Sequence, residues 1–224
     1  MSSQLQISEL VAGIAYWRGR TTWPVDFHNA QYQRWSAQNP RGKFTDQWWK
    51  PFLSTLVAWK AVRPQSPTQL TSRFSQLAKG LGATWQSACA PYMGQDITSV
   101  TWEQVGDFPT KVAAIKPVKG GSPVFPSKFC HFLLPKVYPV VDTSAMGNGW
   151  QTYESYFRFV QGEWGATPLD FQKELLALLD GEIAAAGSPA FTDFPFVNKI
   201  VELCVIGRQH PYTPPSPPRS SPPG

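Results

Sequence analysis

Two ionisable side chains in the middle of the sequence have the types and the spacing needed for covalent chemistry at a carbon atom. Asp142 follows the apolar run 137–141 (VYPVV), and Lys128 lies 14 residues before it. A carboxylate can stabilise positive charge that develops on a substrate and can orient an attacking water. A lysine surrounded by apolar side chains keeps more of its amine uncharged, and the free amine is a nucleophile. Asp142 and Lys128 are therefore the candidate catalytic residues.

A helix and the start of the next helix would bring these two side chains together. Ser122 is a suitable N-cap, and the two prolines that follow it fall in a first turn, where backbone N–H groups have no helical partner. We expect this helix to end near Leu134 and a short strand-like piece to lead to Asp142 at the N-cap of another helix. Helix capping alone would also explain Asp142, and the sequence leaves that alternative open.

The excess positive charge lies in the same part of the chain. The protein has 20 lysine and arginine residues against 15 acidic ones, yet no acidic residue occurs between Asp107 and Asp142. Five lysines lie in this acid-free segment, so the rest of the chain is balanced. Such a segment is typical of a phosphate-binding surface, although a chance run of solvated lysines is an equally good explanation. The five are Lys111, Lys116, Lys119, Lys128 and Lys136.

A pair of glycines, Gly120 and Gly121, precedes the helix predicted to begin at Ser122. Glycines before a helix N-terminus allow a phosphate to approach the backbone N–H groups closely. An ordinary turn explains the pair equally well. Together with Lys116 and Lys119, the glycines are candidate DNA-backbone contacts.

Helical signals dominate the rest of the sequence. Segment 66–69 (SPTQ) has an N-cap serine and a proline at the first helical position, and Gly80 is expected to end that helix. Thr167 and Pro168 repeat the pattern, and Thr192 or Asp193 is the expected cap of a last helix. Period-two alternation with Asn-Gly or Asp-Gly turns is nearly absent. We therefore expect a mainly α fold.

Length and composition limit the organisation and the class of the protein. With 224 residues and 42% hydrophobic residues, we expect one domain over residues 1–210 and a disordered tail over 211–224, half of which is proline. No apolar stretch suits a membrane helix, and no signal peptide is visible. Three cysteines without metal-ligand spacing predict reduced thiols in the cytoplasm, with no metal and no cofactor.

The stretch 132–144 (FLLPKVYPVVDTS) resembles the active-site region of the helix–hairpin–helix DNA glycosylases, especially their compact 8-oxoguanine-glycosylase-like prokaryotic subset. In that superfamily a helix, a short loop and a proline–apolar–apolar–aspartate run lead to a helix whose N-terminus holds an essential aspartate. The resemblance implies a compact two-lobed helical bundle with a cleft between the lobes. It also implies that Asp142 is that aspartate and that Lys128 is the extra lysine of bifunctional members.

Two features depart from the resembled pattern. The lysine of the better-known bifunctional members lies about one helical turn farther from the aspartate than Lys128 does. The Leu-Pro-Gly-apolar-Gly hairpin signature is absent, and segment 118–122 (VKGGS) is its nearest counterpart. His131, which shares a helix face with Lys128, and Lys136 are further candidate contacts to substrate or DNA.

The resemblance implies a monomeric enzyme that flips a damaged or modified base out of double-stranded DNA and cleaves its N-glycosidic bond. A lysine nucleophile would add AP lyase activity, and the role would lie in repair or in defence against modified phage DNA. Two alternatives stay open. One is a non-catalytic DNA-binding protein that keeps the fold. The other is a globular protein in which Asp142 is only a helix cap.

Overall fold

The computed structural model describes residues 4–24, 27–63, 65–118, 121–147, 149–187 and 192–211. Within these ranges the chain is mainly helical and contains no strand, which confirms the mainly α class. The arrangement in two lobes of the glycosylase type stays a prediction. Lys119, Gly120 and nearly all of the predicted tail lie outside the described residues. No helix in the described part of the chain is both long and apolar enough to cross a lipid bilayer.

The helices follow one another with short connections, and two of those connections contain a turn of 3-10 helix, at Ala90–Tyr92 and Ile97–Ser99. In chain order the α-helices of the described ranges are α1 (Ile7–Arg18), α2 (Phe27–Ala37), α3 (Asp46–Ala58), α4 (Pro67–Ala88), α5 (Trp102–Val105), α6 (Asp107–Ala113), α7 (Val124–Leu133), α8 (Thr143–Met146), α9 (Tyr153–Ala166), α10 (Leu169–Ala185) and α11 (Phe196–Gln209).

The helix starts predicted from the sequence are confirmed only in part. The N-caps of α7, α10 and α11 are Pro123, Pro168 and Pro195 rather than the predicted hydroxyl or carboxylate caps, whereas α4 begins as predicted. Ser66 caps α4, since its hydroxyl accepts a hydrogen bond from the backbone N–H of Gln69 at 3.3 Å. The predicted end at Gly80 is wrong, because α4 continues to Ala88. A glycine inside a helix costs only about 1 kcal/mol, and here it makes room for a neighbour. A Cβ at Gly80 would lie 2.9 Å from the side chain of Lys111.

Helices α1 and α11, from opposite ends of the chain, are in direct backbone contact. A Cβ built at Gly13 would lie 2.0 Å from the carbonyl oxygen of Leu203, and one at Gly207 would lie 1.9 Å from that of Glu9. No side chain fits at either position, so only glycine permits this approach. The two glycines set the distance between the first and the last helix.

An arginine joins these two helices to a third one. Arg208 on α11 forms ion pairs with Glu9 on α1, at 2.8 Å, and with Glu163 on α9, at 2.6 Å. Glu163 is almost completely buried, and a buried carboxylate is tolerated when it is paired and hydrogen-bonded. The network therefore fixes how α1, α9 and α11 pack together.

Most of the large aromatic side chains belong to the core rather than to a surface. Trp35, Trp49 and Trp85 are completely buried, and Trp49 stacks on Phe74 with a ring-centroid distance of 4.3 Å. Trp48 is partly buried and stacks on Phe52 at 4.5 Å. Trp49 thus belongs to the core, and Trp48 packs against it.

The glycine contact makes a testable prediction about stability. We expect Gly13→Ala and Gly207→Ala each to lower the free energy of unfolding by at least about 1–3 kcal/mol, because the added methyl group collides with backbone. Gly181→Ala in α10 is the matched control, since its Cβ meets no atom within 4 Å. We expect that variant to gain roughly 0.5–1 kcal/mol from helix propensity. Urea denaturation measures the free energy of unfolding of all three variants. Equal values would show that α1 and α11 can move apart to accept the added methyl group.

Candidate active site

The structure brings Lys128 and Asp142 together. Lys128 lies on α7 and Asp142 is the N-cap of α8, and the Lys128 Nζ is 3.4 Å from the Asp142 Oδ2. The lysine side chain is 4% exposed and the aspartate side chain 21% exposed. The pair is therefore an ion pair that solvent reaches from the aspartate side.

Three side chains hold the segment between α7 and Asp142 in place. The Ser127 hydroxyl accepts a hydrogen bond from the backbone N–H of Val141 at 3.0 Å, so the residue before Lys128 fixes the residue before Asp142. The carbonyl oxygens of residues 138 and 139 accept hydrogen bonds from His131 and Tyr153, each at 2.6 Å. The predicted strand-like piece is not a strand. The backbone N–H groups of residues 137 and 138 both bond to the carbonyl oxygen of Leu134 in a turn, and the three side chains bind the backbone of the residues that follow.

The two oxygens of Asp142 have different partners. Oδ1 accepts a hydrogen bond from the backbone N–H of Ser144 at 3.0 Å, which is the predicted N-cap interaction. Oδ2 faces Lys128. Because one carboxylate makes both contacts, capping and chemistry are compatible roles for this residue.

Burial alters the acidity of the lysine. Lys128 donates a hydrogen bond to the carbonyl oxygen of Trp59 at 2.9 Å, and its Nζ lies 5.0 Å from the centroid of the Trp59 ring. Desolvation lowers the pKa of Lys128, and the negative charge of Asp142 opposes that shift. A lowered pKa leaves a larger fraction of the amine unprotonated and able to attack.

A cavity of about 500 Å³ opens in front of this pair. Its walls come from the end of α1, the end of α3, residues 124 and 128 of α7 and the start of α8. Aromatic, cationic and small polar side chains line it, among them Tyr16, Trp17, Arg20, Thr21, Trp59, Lys60, Lys128, Asp142, Thr143 and Ser144. The volume lies within the range of small-molecule pockets.

The two aromatic rings that α1 contributes to the cavity differ in whether other side chains already lie against their faces. His210 stacks on one side of the Tyr16 ring with a centroid distance of 4.3 Å, and the Arg20 guanidinium lies 3.8 Å from the centroid of the same ring. Trp17 meets the Tyr16 ring edge-on at 5.2 Å. A flat ligand would therefore stack on Trp17 rather than on Tyr16.

Sequence reasoning missed the cations at the rim of this cavity. Arg20 and Lys60 line it and are exposed, and Arg63 is exposed in the same connection as Lys60. None of the three lies in the acid-free segment, so charge counting along the chain had no signal for them. Arg20 and Lys60 line the same cavity as Asp142 because the ends of α1 and α3 both reach it.

Of the predicted DNA contacts, Lys116 is buried, and Lys136 and Gly121 line cavities other than the one beside Asp142. Lys116 is 8% exposed, and its ammonium donates hydrogen bonds to the carbonyl oxygens of Ala61 and Arg63 at 2.8 and 2.7 Å. Lys136 lines a different cavity, one beside Arg41 and Met93. Gly121 has a φ of +68°, and a Cβ built there meets nothing within 4 Å. Lys119 and Gly120 lie outside the described residues.

His131 is completely buried beneath the site. Its Nδ1 is 2.6 Å from the carbonyl oxygen of Tyr138, which can only accept, so Nδ1 carries the hydrogen and Nε2 accepts from the Tyr32 hydroxyl at 2.6 Å. Burial first, and the charge of Lys199 second, lower the pKa of His131 well below its usual value. The structure places this histidine as a neutral bridge within the core.

The thiols show no sign of nucleophilic activation. Cys89, Cys130 and Cys204 are free and buried, and burial raises the pKa of Cys89 to about 12. A thiol must lose its proton to react, so these residues are inert near neutral pH. In the described part of the chain, no three histidine, cysteine or acidic residues are grouped so that they could hold a metal ion.

Comparison of the chain with protein-family models, with curated proteins and with solved structures finds no match.

The Lys128–Asp142 contact predicts a change in the acidity of the lysine. Asp142→Asn keeps the oxygen that caps α8 but removes the charge that stabilises the ammonium, so the pKa of Lys128 should fall further. Titration of the lysine side-chain signals by heteronuclear NMR measures this value. Asp96→Asn is the matched control, because Asp96 also caps a helical turn, through the N–H of Thr98 at 3.1 Å. An unchanged Lys128 titration in Asp142→Asn would show that the two groups do not interact in solution.

Proposed function

We propose that the protein is a DNA glycosylase of the helix–hairpin–helix type that excises a damaged or modified base. The observation that carries the proposal is the contact between Lys128 and Asp142, 3.4 Å apart at the wall of an aromatic-lined cavity. The resemblance in sequence concerns these same two residues. Excision would serve repair or defence against modified DNA.

In this proposal the base leaves the duplex and enters the cavity, because an enzyme cannot reach the glycosidic bond of a stacked base. Trp17 offers an aromatic face, and the hydroxyls of Thr143 and Ser144 offer hydrogen bonds to the edge of the base. Stacking on an aromatic side chain contributes about 1–3 kcal/mol per base. The base is therefore held mainly through its face.

Bond cleavage would follow from the charges of the pair. The bond between C1′ and the base nitrogen breaks, its electron pair leaves with the base, and the carboxylate of Asp142 stabilises the positive charge on the sugar. The departing base or solvent takes one proton from the Lys128 ammonium, and the resulting neutral amine bonds to C1′ and loses a second proton to solvent or to Asp142. Opening of the sugar ring gives a Schiff base, from which elimination cuts the strand.

The DNA backbone would meet the rim of the cavity. Arg20 and Lys60 are exposed cations there, Arg63 is exposed three residues after Lys60, and each could neutralise one phosphate. These residues replace the acid-free segment as the main source of positive charge around the site. DNA is the partner in this proposal, and the protein acts as a monomer in the cytoplasm.

A second candidate is a DNA-binding protein without catalysis. One observation favours it: the Lys128 ammonium is already engaged by Asp142 and by the Trp59 carbonyl, which is a stable resting arrangement. The two candidates differ in whether any base is released.

The first test is a screen for released bases. Purified protein is incubated with duplexes that contain oxidised bases, uracil or phage-type modified bases, and free bases are identified by mass spectrometry. We expect release from at least one duplex, and a loss of about a hundredfold or more in Asp142→Asn, as for other electrostatic stabilisers of a transition state. Asp96→Asn should keep full activity. Binding of DNA with no release from any duplex would favour the second candidate.

The second test concerns the lysine. Borohydride reduces a Schiff base to a stable amine, so a bifunctional enzyme becomes covalently attached to its DNA during turnover. We expect a trapped adduct with the wild type and none with Lys128→Gln. Base release without any adduct would mean that water is the nucleophile, and an adduct that persists in Lys128→Gln would exclude this lysine.

A further inference from the structure

Lys128 is held in place through the backbone of the connection between α3 and α4. The carbonyl oxygen of Trp59, one residue after α3, accepts the hydrogen bond from the Lys128 ammonium at 2.9 Å. No substitution can remove a carbonyl group, so the position of the amine depends on whatever fixes residues 59–63. We call these residues the carbonyl loop.

A second buried lysine fixes the carbonyl loop. The Lys116 ammonium donates hydrogen bonds to the carbonyl oxygens of Ala61 and Arg63, at 2.8 and 2.7 Å. Its Nζ also lies 5.8 Å from the centroid of the Phe125 ring, on α7. A side chain that follows α6 thus binds the loop that follows α3 and packs on the helix that carries Lys128.

A third contact joins the connection after α3 to the connection after α6. The Gln65 side-chain amide donates a hydrogen bond to the carbonyl oxygen of Pro117 at 2.8 Å, and Arg73 holds Gln65 from α4, also at 2.8 Å. Burial first, and the charge of Lys128 second, lower the pKa of Lys116. Both buried ammonium groups find hydrogen-bond acceptors on the carbonyl loop.

We infer that Lys116 is a positioning residue for the reaction at Lys128: by holding the carbonyl loop, it keeps the Trp59 carbonyl where it directs the Lys128 amine toward Asp142. The inference rests on the proposed function for its kinetic part only. Lys116 touches neither Asp142 nor the cavity, so its effect passes through the loop. Misplacement of a nucleophile by about 1 Å can cost on the order of a hundredfold in rate.

The test compares Lys116→Met with Lys116→Arg. Methionine keeps the apolar stem but cannot donate to the carbonyl loop, whereas arginine keeps both the charge and the donors. With abasic DNA at saturation, we expect the rate of borohydride trapping to fall about tenfold to a hundredfold in Lys116→Met. The DNA concentration for half-maximal rate should stay within about twofold, and Lys116→Arg should recover most of the rate.

A measurement on the free protein makes the inference independent of catalysis. The ammonium signal of Lys128 in a ¹⁵N–¹H spectrum, identified by its loss in Lys128→Gln, reports the hydrogen bond to the carbonyl loop. We expect this signal to shift or broaden in Lys116→Met and to return in Lys116→Arg. Lys116→Gln, which keeps one donor, serves if Lys116→Met yields too little folded protein, and a smaller change in the same direction is expected.

The matched control is Lys111→Met, from the same acid-free segment. Lys111 packs over Gly80 on α4, whereas the ammonium groups that bind the carbonyl loop are those of Lys116 and Lys128, so both the signal of Lys128 and the trapping rate should be unchanged. An unmoved Lys128 signal in Lys116→Met would overturn the inference. Weaker DNA binding with a reduced salt dependence and an unchanged trapping rate would also overturn it, since that is the behaviour of a phosphate contact. If the wild type forms no adduct, the lyase proposal fails, and the spectrum alone decides the role of Lys116.

Discussion

The buried ammonium group of Lys128 is the constraint on which the arrangement of the site depends. A charged amine that is 4% exposed needs partners, because desolvation otherwise costs several kcal/mol. Its partners come from distant parts of the chain, the Trp59 carbonyl after α3 and the Asp142 carboxylate before α8. Satisfying one lysine therefore requires α3, α7 and α8 to meet at one point, and the cavity forms where they meet.

The wall of the cavity that α1 forms depends on close contact between helix backbones rather than on a buried charge. Gly13 and Gly207 let α1 and α11 touch through their backbones, and Arg208 ties the same helices to α9. These contacts place Tyr16 at the cavity, where His210 from the end of α11 stacks on it and lies 3.1 Å from the carbonyl oxygen of Ala145 through its Nε2. The first and last helices thus form a rigid wall facing the ion pair.

The features that could be predicted from the sequence are those whose interacting residues lie close together along the chain. Ser66 and Asp142 cap helices as expected, because a capping hydrogen bond is made within three residues of the cap. The end of α4 was not predictable from Gly80, whose small size serves packing against Lys111 rather than helix termination. The Lys128–Asp142 contact was suggested by resemblance, but the Trp59 carbonyl that completes it lies 69 residues away from Lys128 and leaves no local signal.

The lysines of the acid-free segment show why charge along a sequence does not locate a binding surface. Lys116 and Lys128 both turn inward, toward carbonyl oxygens just beyond the C-terminus of α3. A helix C-terminus carries partial negative charge and unsatisfied carbonyl groups, so two buried ammonium groups are well matched to it. Two of the five lysines in the acid-free segment are therefore buried and add no positive charge to the surface. Exposed charge beside the cavity comes instead from Arg20 and Lys60, whose neighbours in sequence gave no reason to select them.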